Sequence, residues 1–187
     1  MILASASPQR RAILEQVGIP FVVRPAGVDE EAAGDPVAVA EENARRKAAA
    51  VAAATPALIL GADTDVALDG DILGKPADPD RARAFLARLS GRVHAVVGGI
   101  ALAERGAVVA TAVEVTQVRF RTLTPALIEW YVQTGEWRGR AGGYAIQGAG
   151  AALVAAIEGD YLNVVGLPLA RLLDLRPGLL PGAGAAL

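Results

Sequence analysis

The chain has 187 residues, 53% hydrophobic and 20% charged, which describes one ordinary folded domain with a sizeable core and excludes a disordered chain. With 18 Lys and Arg against 20 Asp and Glu, the formal net charge is -2, so nothing sequence-wide attracts nucleic acid or an anionic membrane, and any charge that binds phosphate has to be local. Cysteine is absent and His94 is the single histidine, which excludes disulfides, thiolate metal sites, a cysteine nucleophile and a multi-histidine zinc site.

In chain order, residues 2–4 read as a short strand, and Ser7-Pro8 then marks a helix start. The serine oxygen accepts an orphan backbone N–H, while proline at the first helical position has no donor to waste. Residues 21–24 form a second strand, and Asp35-Pro36 opens a helix whose alanine-rich body, 38–54, reflects strong helix propensity rather than low complexity. Residues 58–61 are an apolar strand, and Asp78-Pro79 starts a third helix. A long hairpin follows, 93–103 and 108–121, turning at Glu104-Arg105-Gly106, and Thr124-Pro125 starts a fourth helix. Residues 151–157 suit a short strand despite their alanines, and a fifth helix is expected over 167–175, stopped by Arg176-Pro177-Gly178. Alternating strands and helices predict an α/β fold, and the hairpin makes its sheet mixed. Residues 1–176 form one domain in this reading, and the aperiodic tail 177–187 is expected to fray. Apolar runs fall short of the roughly 20 residues of a membrane helix, and no signal peptide is evident, so no membrane partner and a cytoplasmic location are expected.

Several segments could carry chemistry. Leu3-Ala4-Ser5-Ala6-Ser7-Pro8-Gln9-Arg10-Arg11 joins a strand end, a small-residue turn and a helix N-terminus with two arginines, an anion-binding pattern that is equally a capped helix with solvated arginines. Leu58 to Asp65 is an apolar strand running into an acidic turn, which places Asp63, with Asp65 as its competitor, where catalytic or metal-binding carboxylates sit in open α/β sheets; turn-forming aspartate is the plain alternative. Lys75, between Gly74 and Pro76, can reach a phosphate or simply lie on the surface, and Lys47 beside Arg45 and Arg46 can belong to a solvated basic face. Val28-Asp29-Glu30-Glu31 is an acidic turn. Arg140 to Gly150 is a glycine-rich loop whose Gln147 can read the donor and acceptor edge of a base. His94, within a strand, is read as structural.

Taken together these segments resemble the Maf family of nucleoside triphosphate pyrophosphatases. The likeness runs from Leu3 to about Leu175 and rests on Leu3-Ala4-Ser5-Ala6-Ser7-Pro8 with Arg10, Val28-Asp29-Glu30, Lys47-Ala48, Gly61-Ala62-Asp63-Thr64, Gly74-Lys75-Pro76, Leu89-Ser90-Gly91, Phe120 to Thr124, Ala141 to Gly148, and Val164 to Leu169. The resemblance implies a Maf-type, ITPase-like fold: an elongated mixed sheet flanked by helices, in two lobes with a central cleft. It implies an enzyme that hydrolyses a nucleoside triphosphate to monophosphate and pyrophosphate with a divalent cation, Mg²⁺ or Mn²⁺, and so keeps noncanonical nucleotides out of nucleic acids. Asp63 falls on the family's proton acceptor, with Lys75 and Glu30 beside it; Glu30 and Asp63 are the expected metal ligands, and Ser5, Arg10 and Lys47 the expected phosphate ligands. Thr64 and Gln147 match the members acting on dTTP and UTP, whereas Gln9 stands where these usually carry Arg. Gly98, where the family often has Thr, is a second departure. The resemblance also allows a homodimer. Alternatives are relaxed specificity, a 7-methyl-GTP pyrophosphatase, or a nucleotide-binding regulator of cell division or septum formation whose hydrolysis is incidental.

The chemistry available is consistent with these expectations. A carboxylate, ordinary pKa about 3.9, is a weak base toward water, and a bound cation narrows that gap, so dependence on the metal is expected.

Overall fold

The computed structural model describes residues 1–182. All four cap-and-proline pairs open helices: α1 (Pro8–Gln16), α2 (Pro36–Ala52), α3 (Pro79–Leu89) and α4 (Pro125–Thr134). In each, the side chain before the proline accepts a backbone N–H from the first turn: Ser7 from Arg10, Asp35 from Ala38, Asp78 from Arg81 and Thr124 from Leu127. The fifth helix, expected over 167–175, is found at 169–175, and a further short helix that was not expected precedes it. α5 (Tyr161–Val165), capped by Asp160, ends at Gly166, and α6 (Leu169–Leu175) begins after Pro168.

Seven strands form one mixed sheet: β1 (Ile2–Leu3), β2 (Val22–Val23), β3 (Ile59–Leu68), β4 (Asp71–Leu73), β5 (Val93–Glu104), β6 (Ala107–Phe120) and β7 (Val154–Glu158). Their order is β2-β1-β3-β5-β6-β7, with β4 also on β3. β1 runs parallel to β2 and β3, and the remaining pairs are antiparallel. The ambiguous segment near 151–157 resolves into a 3₁₀ turn, Ala149–Leu153, followed by β7.

One expectation is overturned. The strand expected at 58–61 does not end in an acidic turn at Asp63; β3 continues to Leu68, paired with β5 through Ala67, and reverses only at Asp69-Gly70 into β4. Three polar residues in a row look like a turn, but β5 supplies a hydrogen-bonded partner for each of them.

β3 alternates across the sheet, and both faces are used. On one face Leu60 and Ala62 join a core with Leu14, Ile100 and Leu172, while Val66 and Leu68 join another with Phe85, Leu86, Phe120 and Tyr131. These two cores are the two lobes, and Thr64 sits on the strand between them. On the opposite face α2 lies directly on the strands. Its Ala40, Ala44 and Ala48 pack over Gly61 and Gly99, where any Cβ would run into the α2 backbone. Alanine in this helix therefore serves close approach as well as propensity.

Among the described residues no helix is long and apolar enough to cross a membrane. Of the tail expected to fray, Pro177–Leu179 forms a 3₁₀ turn, with Leu179 and Leu180 against the first lobe's core; residues 183–187, where the rest of that expectation falls, lie outside the described residues.

Candidate active site

The site begins with a gap in hydrogen bonding. β1 pairs with β3 at Ile59 and Leu60, and β4 pairs with it from Val66 onward. Since β5 occupies the other edge of β3, β1 and β4 share one edge, and the stretch 61–65 between them is left open there. The carboxyl end of β1, continuing into Ala4-Ser5-Ala6, opens into this gap. A cleft of about 430 Å³ lies there between the lobes, lined by Ser5, Gln9, Arg10, Glu30, Lys47, Asp63, Thr64, Lys75 and Gln147. Every site residue expected from the resemblance thus reaches one cavity, although Asp63 arrives from mid-strand rather than from a turn.

Asp63 is buried on the α2 face of the sheet. Its Oδ1 accepts from Lys47 Nζ at 2.6 Å and its Oδ2 from Asn43 Nδ2 at 2.9 Å. Asn43 and Lys47 are one helical turn apart, so both present to the same strand residue. Asn43 also grips the acidic turn, donating to the Glu31 carbonyl at 2.9 Å and accepting from its N–H at 2.8 Å. That clamp brings Glu30 over the site, where Oε1 lies 2.6 Å from Lys47 Nζ and Oε2 lies 3.3 Å from Lys75 Nζ. Burial pulls the Glu30 carboxyl upward, but the bonds to Lys47 and Lys75 outweigh it and hold it below the usual carboxylate value. Asn43 carried no signal in the sequence motifs; its spacing of four from Lys47, as the polar residue of a small apolar stripe, is the feature that could have marked it.

Arg10 is buried and turned inward rather than solvated. It donates from Nε to the Gly166 carbonyl at 2.8 Å, from Nη1 to Ser5 Oγ at 2.8 Å and from Nη2 to Thr64 Oγ1 at 3.1 Å. Burial draws its pKa down from the ordinary value, opposed by Asp63, Glu30 and Asp65. A guanidinium remains charged across the working range regardless. Arg11, the other arginine of that turn, is exposed. Ser7 donates to Gln9 Oε1 at 3.2 Å, fixing the side chain that departs from the family pattern.

The second lobe supplies the opposite wall. Gln147 sits on a loop held by two anchors: Tyr131 Oη accepts from Ala145 N at 3.0 Å, and the Glu136 carboxylate accepts from Ala149 N at 3.0 Å and Gly150 N at 3.3 Å. Tyr144 lines the cleft and its hydroxyl bonds His94 Nε2 at 2.8 Å behind the wall. His94 is therefore structural, as expected, and burial pushes its pKa down to about 4.

Asp65, the competitor of Asp63, shares its strand face and is buried, yet does not line the cleft. Its Oδ2 has no hydrogen-bond partner among the described residues. Burial, reinforced by the like charges of Asp63 and Glu30, pushes its pKa up to about 7. The oxygen donors at hand suit a hard divalent cation, and this unpartnered buried oxygen is the feature a cation or proton would satisfy. Among the described residues no three carboxylate or imidazole groups form a complete cage, so substrate phosphates would have to share the coordination.

Comparison with known proteins gives the chain's relatives. The model of a family described as "Maf-like protein" matches residues 1–176. The chain is 53% identical over 178 residues to a dTTP/UTP pyrophosphatase of Symbiobacterium thermophilum, covering 94% of this chain and 91% of the relative. It is 52% identical over 180 residues to a protein of the same name from Moorella thermoacetica, covering 94% and 92%. A third of that name, from Pyrococcus furiosus, is 47% identical over 178 residues, covering 94% and 93%. Among solved structures, a nucleoside-triphosphatase / dITP/XTP pyrophosphatase from Mycobacterium abscessus is similar at a TM-score of 0.47 and 19% identity, covering 72% of this chain and 93% of that one.

Proposed function

The chain belongs to the Maf family, and from that premise we propose that it hydrolyses dTTP and UTP to the monophosphate and pyrophosphate, clearing surplus or noncanonical nucleotides. The relatives at 47–53% identity carry the name of that activity. The observation that carries the reading is Asp63: a buried carboxylate at an open strand edge, in a cleft that also gathers Arg10, Lys47 and Lys75.

In this mechanism the carboxylate of Asp63 accepts a proton from water as the water oxygen bonds to the α-phosphorus. The bond from that phosphorus to the α,β-bridging oxygen breaks, and pyrophosphate leaves with the bond's electron pair. Lys47 and Asn43 orient Asp63 with one bond to each oxygen, so each oxygen keeps a lone pair that can accept a proton. Lys75 and Arg10 supply charge to phosphate oxygens, the positioning and electrostatic work on which phosphoryl transfer depends. Glu30 and Asp63 would hold a Mg²⁺ or Mn²⁺ ion together with the substrate, and that ion would acidify water and neutralise phosphate charge. Thr64 and Gln147 are assigned to choice of base, with Gln9 beside them. No feature of the site favours the alternative of a division regulator with incidental hydrolysis.

A panel of dTTP, UTP, CTP, GTP and 7-methyl-GTP with Mn²⁺, assayed for pyrophosphate, tests the reaction and the specificity together. Pyrophosphate from dTTP and UTP ahead of the others is expected. Release of orthophosphate, or turnover confined to 7-methyl-GTP, overturns the proposal.

A further inference from the structure

Four cations line the cleft: Arg10, Lys47, Lys75 and Arg140. The first three are engaged, Arg10 by neutral oxygens and the lysines by Glu30 and Asp63. Arg140 is different. Its side chain makes no hydrogen bond or ion pair with any described residue, and its Nε is buried without a partner. The side chain is half-buried, with its Nε–H shut off from water and unpaired, and a donor left in that state costs more than the bond would gain, so the position suits an anion that the chain itself does not provide.

The backbone fixes where that anion would sit. Gly142 N donates to the Gly74 carbonyl at 3.1 Å, tying the loop that begins at Arg140 to the loop that holds Lys75. Lys75 and Arg140 therefore stand on two joined loops of the second lobe, while Ser5 and Arg10 belong to the first. Lys75 is only partly neutralised, because Glu30 is shared with Lys47. A triphosphate placed across the cleft would meet two separate cationic clusters, one on each lobe.

Building on the proposed pyrophosphatase activity, the geometry points to Arg140 and Lys75 as a second anion subsite, one that takes the two phosphates that leave as pyrophosphate. Arg140 contributes the forked donor set and Lys75 the point charge, a pairing suited to a diphosphate rather than a single phosphate. Product charge released on cleavage is then stabilised on the lobe away from Arg10, and the phosphate that remains on the nucleotide stays with the first lobe.

Calorimetric titration with inorganic pyrophosphate and, separately, with UMP tests this, since neither ligand is turned over. For Arg140→Ala we expect pyrophosphate affinity to fall about tenfold or more while UMP affinity stays within about twofold. Should that variant fold poorly by thermal denaturation, Arg140→Gln read in the same two titrations decides. Unchanged pyrophosphate affinity, or an equal loss for both ligands, overturns the subsite. Failure of the pyrophosphatase reading would look different: pyrophosphate binding would depend on Arg140 although no triphosphate was cleaved.

Discussion

Two side chains show how much burial can decide at the scale of single residues. Asp63 is held by Lys47 and Asn43 at 2.6 and 2.9 Å, so replacing it with asparagine preserves shape and removes the proposed proton acceptor. Asp63→Asn should lower kcat by about 10³-fold, in the range expected for loss of a general base, while nucleotide affinity changes only a few-fold. Steady-state kinetics with UTP and a direct binding measurement check both halves. His94 illustrates burial without catalysis. It is 2% exposed, and its folded-state pKa of about 4 lies below the ordinary 6.5. Above the unfolded value neither state is protonated and the residue costs nothing. As pH falls from 6.5 toward 4 the unfolded chain takes up a proton that the folded one refuses, so stability drops by up to about 3 kcal/mol. Because the chain has a single histidine, its ring resonances report this cleanly by NMR: they should remain those of neutral imidazole down to about pH 5. A midpoint near 6.5 would mean that the ring is not desolvated.

At the scale of elements, what was legible in the sequence and what was not have separate causes. The four helix starts were legible because a capping oxygen and a proline act locally, and each cap makes the bond its residue type implies. The extent of β3 was not legible, since Asp63, Thr64 and Asp65 are turn-like by composition and are kept in a strand by pairing with Gly99, Gly98 and Val97, far along the chain. Motif matching found Asp63, Lys47 and Glu30; it did not find Asn43 or the unpaired guanidinium of Arg140, whose importance arises only when α2 and the second lobe are in place. The contact of α2 with the sheet should also be brittle. Gly61→Ala forces a methyl group into the Ala44 carbonyl and Ala48 N, an overpacking that costs about 1–3 kcal/mol, or about 2–12 °C in Tm for a chain of this size. Thermal denaturation against Gly178→Ala, where nothing lies within 4 Å of the added methyl, provides the control. Equal melting temperatures for the two variants would mean that α2 shifts freely over the sheet. Activity should suffer beyond the stability loss, because Asn43 and Lys47 ride on that helix.

Over the whole molecule, the long strands β3, β5 and β6 run through both lobes, and the cleft opens only where β1 stops and β4 has not begun. The near-neutral total charge consequently says little about the ligand: four cations are gathered at one gap, and carboxylates pair with two of them. The glycine at position 98 also finds its reason at this scale. A Cβ there would collide with Asn163 Oδ1, and Asn163 Nδ2 bonds the Val96 carbonyl at 3.0 Å and Thr116 Oγ1 at 3.1 Å, pinning α5 to the sheet. α5 in turn delivers Gly166, whose carbonyl receives Arg10 across 156 positions of sequence. That last bond has a consequence for biosynthesis. A ribosome makes the chain from its amino end at about 5–20 residues per second, so Arg10 emerges many seconds before its acceptor exists. A nascent chain can form α1 and offer its guanidinium Ser5 and Thr64, yet the third bond, from Nε, has no acceptor until Gly166 is out. The wall around Arg10, proposed to bind phosphate, is thus completed only after Gly166 has emerged, and truncated chains lacking α5 should hold that guanidinium by two bonds instead of three.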